Sequence, residues 1–192
     1  MSNSRPVAVL DSCVLYPVAT TDGLMSLASS GLFSAKWTRL IEDEWIRAIE
    51  RQRQDLVGRL TLRRDAMRDA IVDWEIPEAA WSRISIDDQL PDPNDEHVIT
   101  AAIAAGADVI VTANGNDFPS RIADPLGLEI MHPDPFILEL CESDKDLWVA
   151  TFASMRSRLR RPEMTPEDFV HRIERAGLPK TAQKLRGDLR LL

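Results

Sequence analysis

The sequence predicts an α/β fold: a parallel sheet with helices on both faces, followed by an all-helical C-terminal extension. Three observations lead there. Short continuous apolar runs, around Val7–Leu10 and Val109–Val111, suit strands buried on both faces. Segments of helical periodicity separate the strand candidates, with short loops between, as in repeated strand–helix units. Past His132-Pro-Asp-Pro135 no strand signal remains.

A chain of 192 residues is long enough for one ordinary domain with an appendage and a proper core. Its 44% hydrophobic and 28% charged residues are those of a soluble globular protein. No window of about 18 apolar residues exists, so no membrane span is expected. The opening, Met1 to Pro6, leads into an apolar run that Asp11 interrupts, which is no signal peptide. Cys13 and Cys141 give neither a disulfide framework nor zinc spacing, so a cytoplasmic, reducing location is expected. The net charge of −8 weighs against a nucleic-acid partner, but it is uneven. From Ala150 to Leu192 ten Lys/Arg face five acids. That basic tail suits a solvated helix face as well as a polyanion contact.

Taken in order, Val7–Leu10 reads as a buried strand that runs into Asp11. Thr20-Thr-Asp22 offers N-caps for a short helix through Leu24, Met25, Leu27 and Ala28, stopped near Gly31. Leu32–Lys36 reads as a second strand. Thr38 is the expected N-cap of a long helix in which Leu40, Ile41, Trp45, Ile46 and Ile49 recur at helical spacing. Glu42, Asp43 and Glu44 occupy its first turns, where the dipole favours negative charge. A further helix is expected from about Asp55 to Trp74. Pro77 breaks it, and Trp81–Ile86 alternates like a strand or its lead-in. Asp87–Asn94 is a turn-rich loop. A helix through Val98 to Ala105 ends at Gly106. A strand over Asp108–Thr112 follows, then a loop over Asn114–Pro119, then a last strand over Leu128–Met131. Phe136 to about Arg161 is expected as helix, divided near Glu142-Ser143. Thr165-Pro166 opens another helix, and Pro179 opens a last one to about Leu191. The boundary falls near residue 133, giving a body over 1–132 and an extension over 133–192.

Four places put acids at loop or helix starts beside apolar strands: Asp11, Glu44, Asp92 with Asp95, and Asp117. In a parallel sheet the strand ends before Asp11 and Asp117 share one edge, where ligands bind in open α/β sheets. Several converging carboxylates cannot all stay ionised without a cation. Oxygen ligands suit Mg²⁺ or Mn²⁺ rather than zinc. Such an ion can activate water and stabilise a phosphodiester transition state. Each acid also has a plainer account. Asp92 fits as an N-cap before Pro93, and Asp95 fits as a capping-box acid. Spacing cannot choose among Glu42, Asp43 and Glu44. Asn114 to Asp117 are turn formers. Capping does not explain Asp11. His97 and His132 suggest surface or packing roles, and Cys13 a buried structural thiol.

These residues resemble a known family. Val9-Leu10-Asp11-Ser12-Cys13-Val14-Leu15 is similar to the first motif of PIN domains, the nuclease fold of VapC-type toxins. Glu44 in Ile41–Trp45 matches the second acid. Asp92 to Ala102 resembles the third motif, with Asp95 as its core acid and Asp92 as an extra one. Val109 to Phe118 resembles the fourth, except that Asn114 stands where some relatives carry Asp. The fourth ligand is then Asp117, or the neutral Asn114. The resemblance, over roughly residues 7 to 131, implies a three-layer α/β/α sandwich and a divalent-metal ribonuclease acting on RNA. It also implies a homodimer held by a small antitoxin. The helical tail is similar to the extension of larger family members. On this reading Asp11, Glu44, Asp95 and Asp117 bind one or two Mg²⁺ or Mn²⁺ ions, with Asp92 as a further ligand, while Ser12, Thr112 and Asn114 support them. The alternative is a PIN-like module that binds RNA or protein without cutting. A phosphohydrolase with Asp11 as nucleophile would want an aspartate where Cys13 stands.

Overall fold

The computed structural model describes residues 5–160 and 163–192. Four strands, β1 (Val7–Leu10), β2 (Ser34–Lys36), β3 (Val109–Val111) and β4 (Glu129–Met131), form one parallel sheet in the order β2-β1-β3-β4. Flanking helices and a helical C-terminal region complete the expected α/β class. The chain leaves β1 for β2 on one side and later returns to the other side of β1 as β3. That reversal opens a crevice at the carboxyl ends of β1 and β3. Leu10 pairs with Val111, so Asp11 and Thr112 leave the sheet side by side. The Asp11 N–H still reaches the Val111 carbonyl at 3.1 Å.

Helices α1 (Ser12–Leu15) and α2 (Val18–Ser29) join β1 to β2. After β2 come α3 (Arg39–Gln52), α4 (Thr61–Ala70) and α5 (Glu78–Trp81), then α6 (Glu96–Ala105) before β3 and α7 (Ser120–Ala123) before β4. The tail carries α8 (Pro133–Ser143), α9 (Lys145–Arg158), α10 (Pro166–Arg175) and α11 (Pro179–Arg186). Caps set several boundaries as the sequence implied. Thr38 Oγ1 accepts the Ile41 N–H at 3.1 Å and starts α3. Gly106, at φ +57°, ends α6 in the left-handed conformation that glycine adopts without strain. Thr165 caps α10, with Pro166 in its first turn.

Tertiary contacts redraw other elements. The helix expected over Asp55–Trp74 is a 3₁₀ turn at Gln54–Leu56 followed by α4, with Gly58 at φ +70° between them. The segment after α4 leaves the helix because Trp74 stacks on Trp37, ring centroids 5.0 Å apart. Its backbone then pairs with Trp37: Trp37 N–H donates to Trp74, and Ile76 N–H donates to Trp37. The strand expected over Trp81–Ile86 is not formed. Extended Pro77 instead starts the short α5, which ends at Trp81. α2 begins at Val18, earlier than the Thr20–Asp22 caps suggested, because Pro17 supplies the extended entry. The break in the tail falls at Asp144, whose carboxylate caps α9 by accepting the Leu147 N–H at 3.0 Å. α11 stops at Arg186, and a separate 3₁₀ turn covers Leu189–Leu191. The expected helix end at Arg161, and the opening Met1–Ser4, lie outside the described residues.

Ala8, Val9, Leu10, Ile110 and Val111 are fully buried, and one apolar core runs from them to Leu192. The tail joins it where Phe136 meets Phe33 edge-on at 4.9 Å. Buried Asp134 of α8 then accepts the Lys180 and Thr181 N–H groups at 2.8 Å each, which caps α11. Among the described residues no helix is long and apolar enough to cross a membrane.

Candidate active site at the sheet edge

Asp11 is 5% exposed and held from three sides. Its Oδ1 accepts the Ser12 N–H at 2.5 Å, which makes Asp11 the N-cap of α1. Capping therefore does bear on Asp11, contrary to the sequence expectation: an extended backbone (φ −70°, ψ 156°) turns its carboxylate back over the first turn. Its Oδ2 accepts the Thr112 hydroxyl at 2.7 Å and the Cys13 thiol at 3.0 Å. Thr112 Oγ1 takes the Asn114 N–H at 3.0 Å, and Cys13 Sγ takes the Ala113 N–H at 3.1 Å. The loops after β1 and β3 are thus tied together around one carboxylate. Burial, and then the charge of Asp11, push the Cys13 thiol up to about 12. It stays protonated and acts as a donor rather than a nucleophile. Arg63 of α4 closes the other end of α1, donating to the Leu15 and Tyr16 carbonyls at 2.6 and 3.2 Å.

Asp92 and Asp95 divide their work in a way that spacing alone left open. Asp92 is the cap: its Oδ1 accepts the Asn94 N–H at 2.9 Å and the Asn94 side-chain amide at 2.8 Å. Asp95 stands at the start of α6 but accepts no capping bond. Its carboxyl is raised from an ordinary 3.8 to about 6, by burial first and then by the charges of Asp11, Asp117 and Asp92. Four of the expected acids therefore converge. Asp117 closes the 3₁₀ turn over Gly115–Asp117 and is the member of that loop whose charge reaches Asp95. Exposed Asn114 contributes its backbone N–H to Thr112.

Burial separates the three acids of α3. Glu42, 1% exposed, is bound by Arg68 and by Trp37 Nε1 at 3.0 Å. Exposed Asp43 pairs with Arg47 at 3.5 Å. Glu44 turns toward α6 and meets His97 Nε2 at 2.9 Å. Its charge is not among those that raise Asp95, and its carboxylate is engaged by His97 instead. His97 packs against Trp81, ring centroids 6.2 Å apart, in keeping with a packing role, but its bond to Glu44 also brings it to the site. Sequence reasoning missed that bond, and it missed Arg63. The one available signal was the place of His97 two residues after Asp95.

Among the described ion pairs, none joins Asp11, Asp92, Asp95 or Asp117 to a lysine or arginine. Uncompensated charge and an all-oxygen donor set fit a hard divalent cation. As the side chains stand, no three His, Cys, Asp or Glu among the described residues are disposed to share one ion. The charges therefore repel in the free protein. Asp95 holds its proton more tightly folded than unfolded, so the free protein loses stability as pH rises from about 4 through about 6. Replacing Asp95 by Asn removes this term. The variant is expected to melt a few degrees higher at pH 7, about 1 kcal/mol after allowance for its partial exposure, with no gain at pH 4. Melting curves at the two pH values check this; an equal shift at both would rule it out.

Carboxylates gathered at the switch point of a parallel sheet define a class, α/β/α proteins whose strand ends present an acidic site. Within that class the chain belongs to the PIN domain family, which matches residues 7–116. The extension matches the VapC50 C-terminal domain over residues 133–187. Both halves of the resemblance drawn from the motifs are thus borne out. A curated protein of Mycobacterium tuberculosis (strain ATCC 25618 / H37Rv), described as "Putative ribonuclease VapC50", is 30% identical over 92 residues. The match covers 48% of this chain and 54% of that one, so the chain spans about half the length of the curated relative it matches. No solved structure matches.

Proposed function

We propose that this protein is a metal-dependent endoribonuclease and the toxin of a type II toxin–antitoxin pair, acting in the cytoplasm. The observation that carries the reading is Asp95: an uncapped carboxyl raised to about 6 among Asp11, Asp92 and Asp117, with no lysine or arginine among the described residues paired to any of them. Membership of the PIN domain family and a relative named as a ribonuclease support RNA as the substrate class. The likeness to VapC-type toxins supports a small antitoxin as partner and a homodimer as the assembly. Residues 1–132 are the nuclease domain and 133–192 its helical extension.

In this reading Asp11, Glu44, Asp95 and Asp117 hold Mg²⁺ or Mn²⁺, and Asp92 lends charge for a second ion. The bound ion would supply Lewis-acid activation of water and neutralise charge developing on the phosphodiester. Thr112 and the Ser12 N–H fix both oxygens of Asp11, and Asn114 fixes Thr112 through its backbone. His97 steadies Glu44.

The test is cleavage of a mixed RNA pool by the purified chain. Cutting is expected with Mg²⁺ or Mn²⁺, is stopped by a chelator and returns on adding back the metal. Cutting that survives chelation would refute the metal-dependent reading. The engagement of Glu44 by His97 favours a second reading, a PIN-like module that binds RNA or protein without cutting. Saturable RNA binding with no cleavage at any Mn²⁺ concentration would select it.

A further inference from the structure

A cleft of about 710 Å³ lies between α2, α4 and the tail helix α9. None of the acids of the candidate active site lines it. Its volume falls within the range of about 300–1,000 Å³ typical of small-molecule sites. Met25, Met67, Leu147 and alanines give it an apolar lining. Three charged side chains reach it. Two of them, Arg158 and Asp22, face each other at 3.5 Å on the rim.

The third, Arg63, differs. Its guanidinium lies over the Trp45 ring, 4.8 Å from the centroid. It donates to Leu15 O, Tyr16 O and Thr21 Oγ1, all neutral acceptors. Those bonds use three of its five N–H groups, and beyond the Trp45 ring and these neutral acceptors no carboxylate pairs with it among the described ion pairs. Burial works against that charge and lowers the Arg63 pKa. A cation in an apolar wall is stabilised by an anion that shares its environment.

The geometry points to a binding site in this cleft for a small amphiphile bearing one carboxylate, its apolar part along Met25, Met67 and Leu147 and its head group on Arg63. Both Nη2 donors are taken, so the Nε–H and the second Nη1–H remain, each able to give a carboxylate oxygen a single charge-assisted bond. One positive charge without a carboxylate partner, on a chain of net charge −8, favours a monoanion over a dianion.

Decanoate below its micellar concentration is the probe, decanol its uncharged control, and calorimetry the readout. Decanoate is expected to bind one to one, about tenfold or more tighter than decanol, in line with the strength of a charge-assisted hydrogen bond. Arg63→Met should erase that preference. Because this change also releases the carbonyls that end α1, a second pair of variants keeps the test independent of folding. Ala66→Trp and Ala150→Trp fill the cleft from exposed positions on opposite walls, and each should abolish binding while leaving the melting temperature of the free protein unchanged. Equal affinity for decanol, undiminished binding in the tryptophan variants, or no saturable binding of decanoate would overturn the assignment. Each outcome is read without RNA, so it is separate from the nuclease reading.

Discussion

If the protein cuts RNA as proposed, Asp11→Asn is expected to abolish that metal-dependent cleavage while the protein stays folded. The geometry explains why one atom suffices. The amide keeps an oxygen that can accept from Ser12 N–H or from the Thr112 hydroxyl, so the crossing between the β1 and β3 loops survives at a cost of about 1 kcal/mol. What disappears is the charge. Losing the outer partner of a metal ligand typically costs about 10–100-fold, and losing the ligand's own charge should exceed the upper end of that range. The same substitution removes one of the charges that hold the Asp95 carboxyl up. Asp95 is therefore expected to titrate at lower pH in the variant, which carboxyl NMR resonances can follow. Wild-type cleavage in a folded Asp11→Asn protein would remove Asp11 from the site. An unchanged Asp95 titration would show that the two carboxyls are not neighbours.

The largest effect on stability is expected from Arg68→Met. Glu42 is 1% exposed on α3 and is neutralised by Arg68 of α4, which also lies over the Trp74 ring at 4.9 Å. Removing the guanidinium leaves a buried carboxylate with Trp37 Nε1 as its remaining donor. Breaking a buried pair from one side costs about 3–5 kcal/mol, which for a chain of this size lowers the melting temperature by roughly 10 °C. The double variant Glu42→Met, Arg68→Met should recover most of the loss, because an apolar pair of similar volume packs where the ions did. Thermal unfolding of the two proteins decides the matter. If the double variant is no more stable than the single one, the cost lies in packing against Trp74 rather than in the orphaned charge.

Much of the frame was legible from local signals. Val7–Leu10 and Val109–Val111 are continuous apolar runs, and both are strands of the sheet interior. Thr38, Gly106 and Thr165 mark helix ends by bonds or backbone angles that involve only near neighbours, so composition at those positions was enough. The placing of Asp11 after β1 and of Asp117 after β3 followed from that frame, since parallel strands present their carboxyl ends on one edge.

The tertiary structure decided which way each acid faces. Asp11, taken to be free of capping, caps α1, and Asp95, which had a capping account, is the one left uncapped. Glu42, Asp43 and Glu44 are consecutive, and successive residues point about 100° apart around a helix. One therefore enters the core, one meets solvent and one turns to the site. Their partners Arg68 and His97 lie 26 and 53 residues away. The same holds for the end of α4, where Trp74 leaves the helix to stack on Trp37. The sequence alone determined the sheet, its acidic edge and the helical tail, because apolar runs and caps act over a few residues. Only the packed chain decided which carboxylates stand together without a cation, because burial and charge pairing arise between elements far apart in the chain.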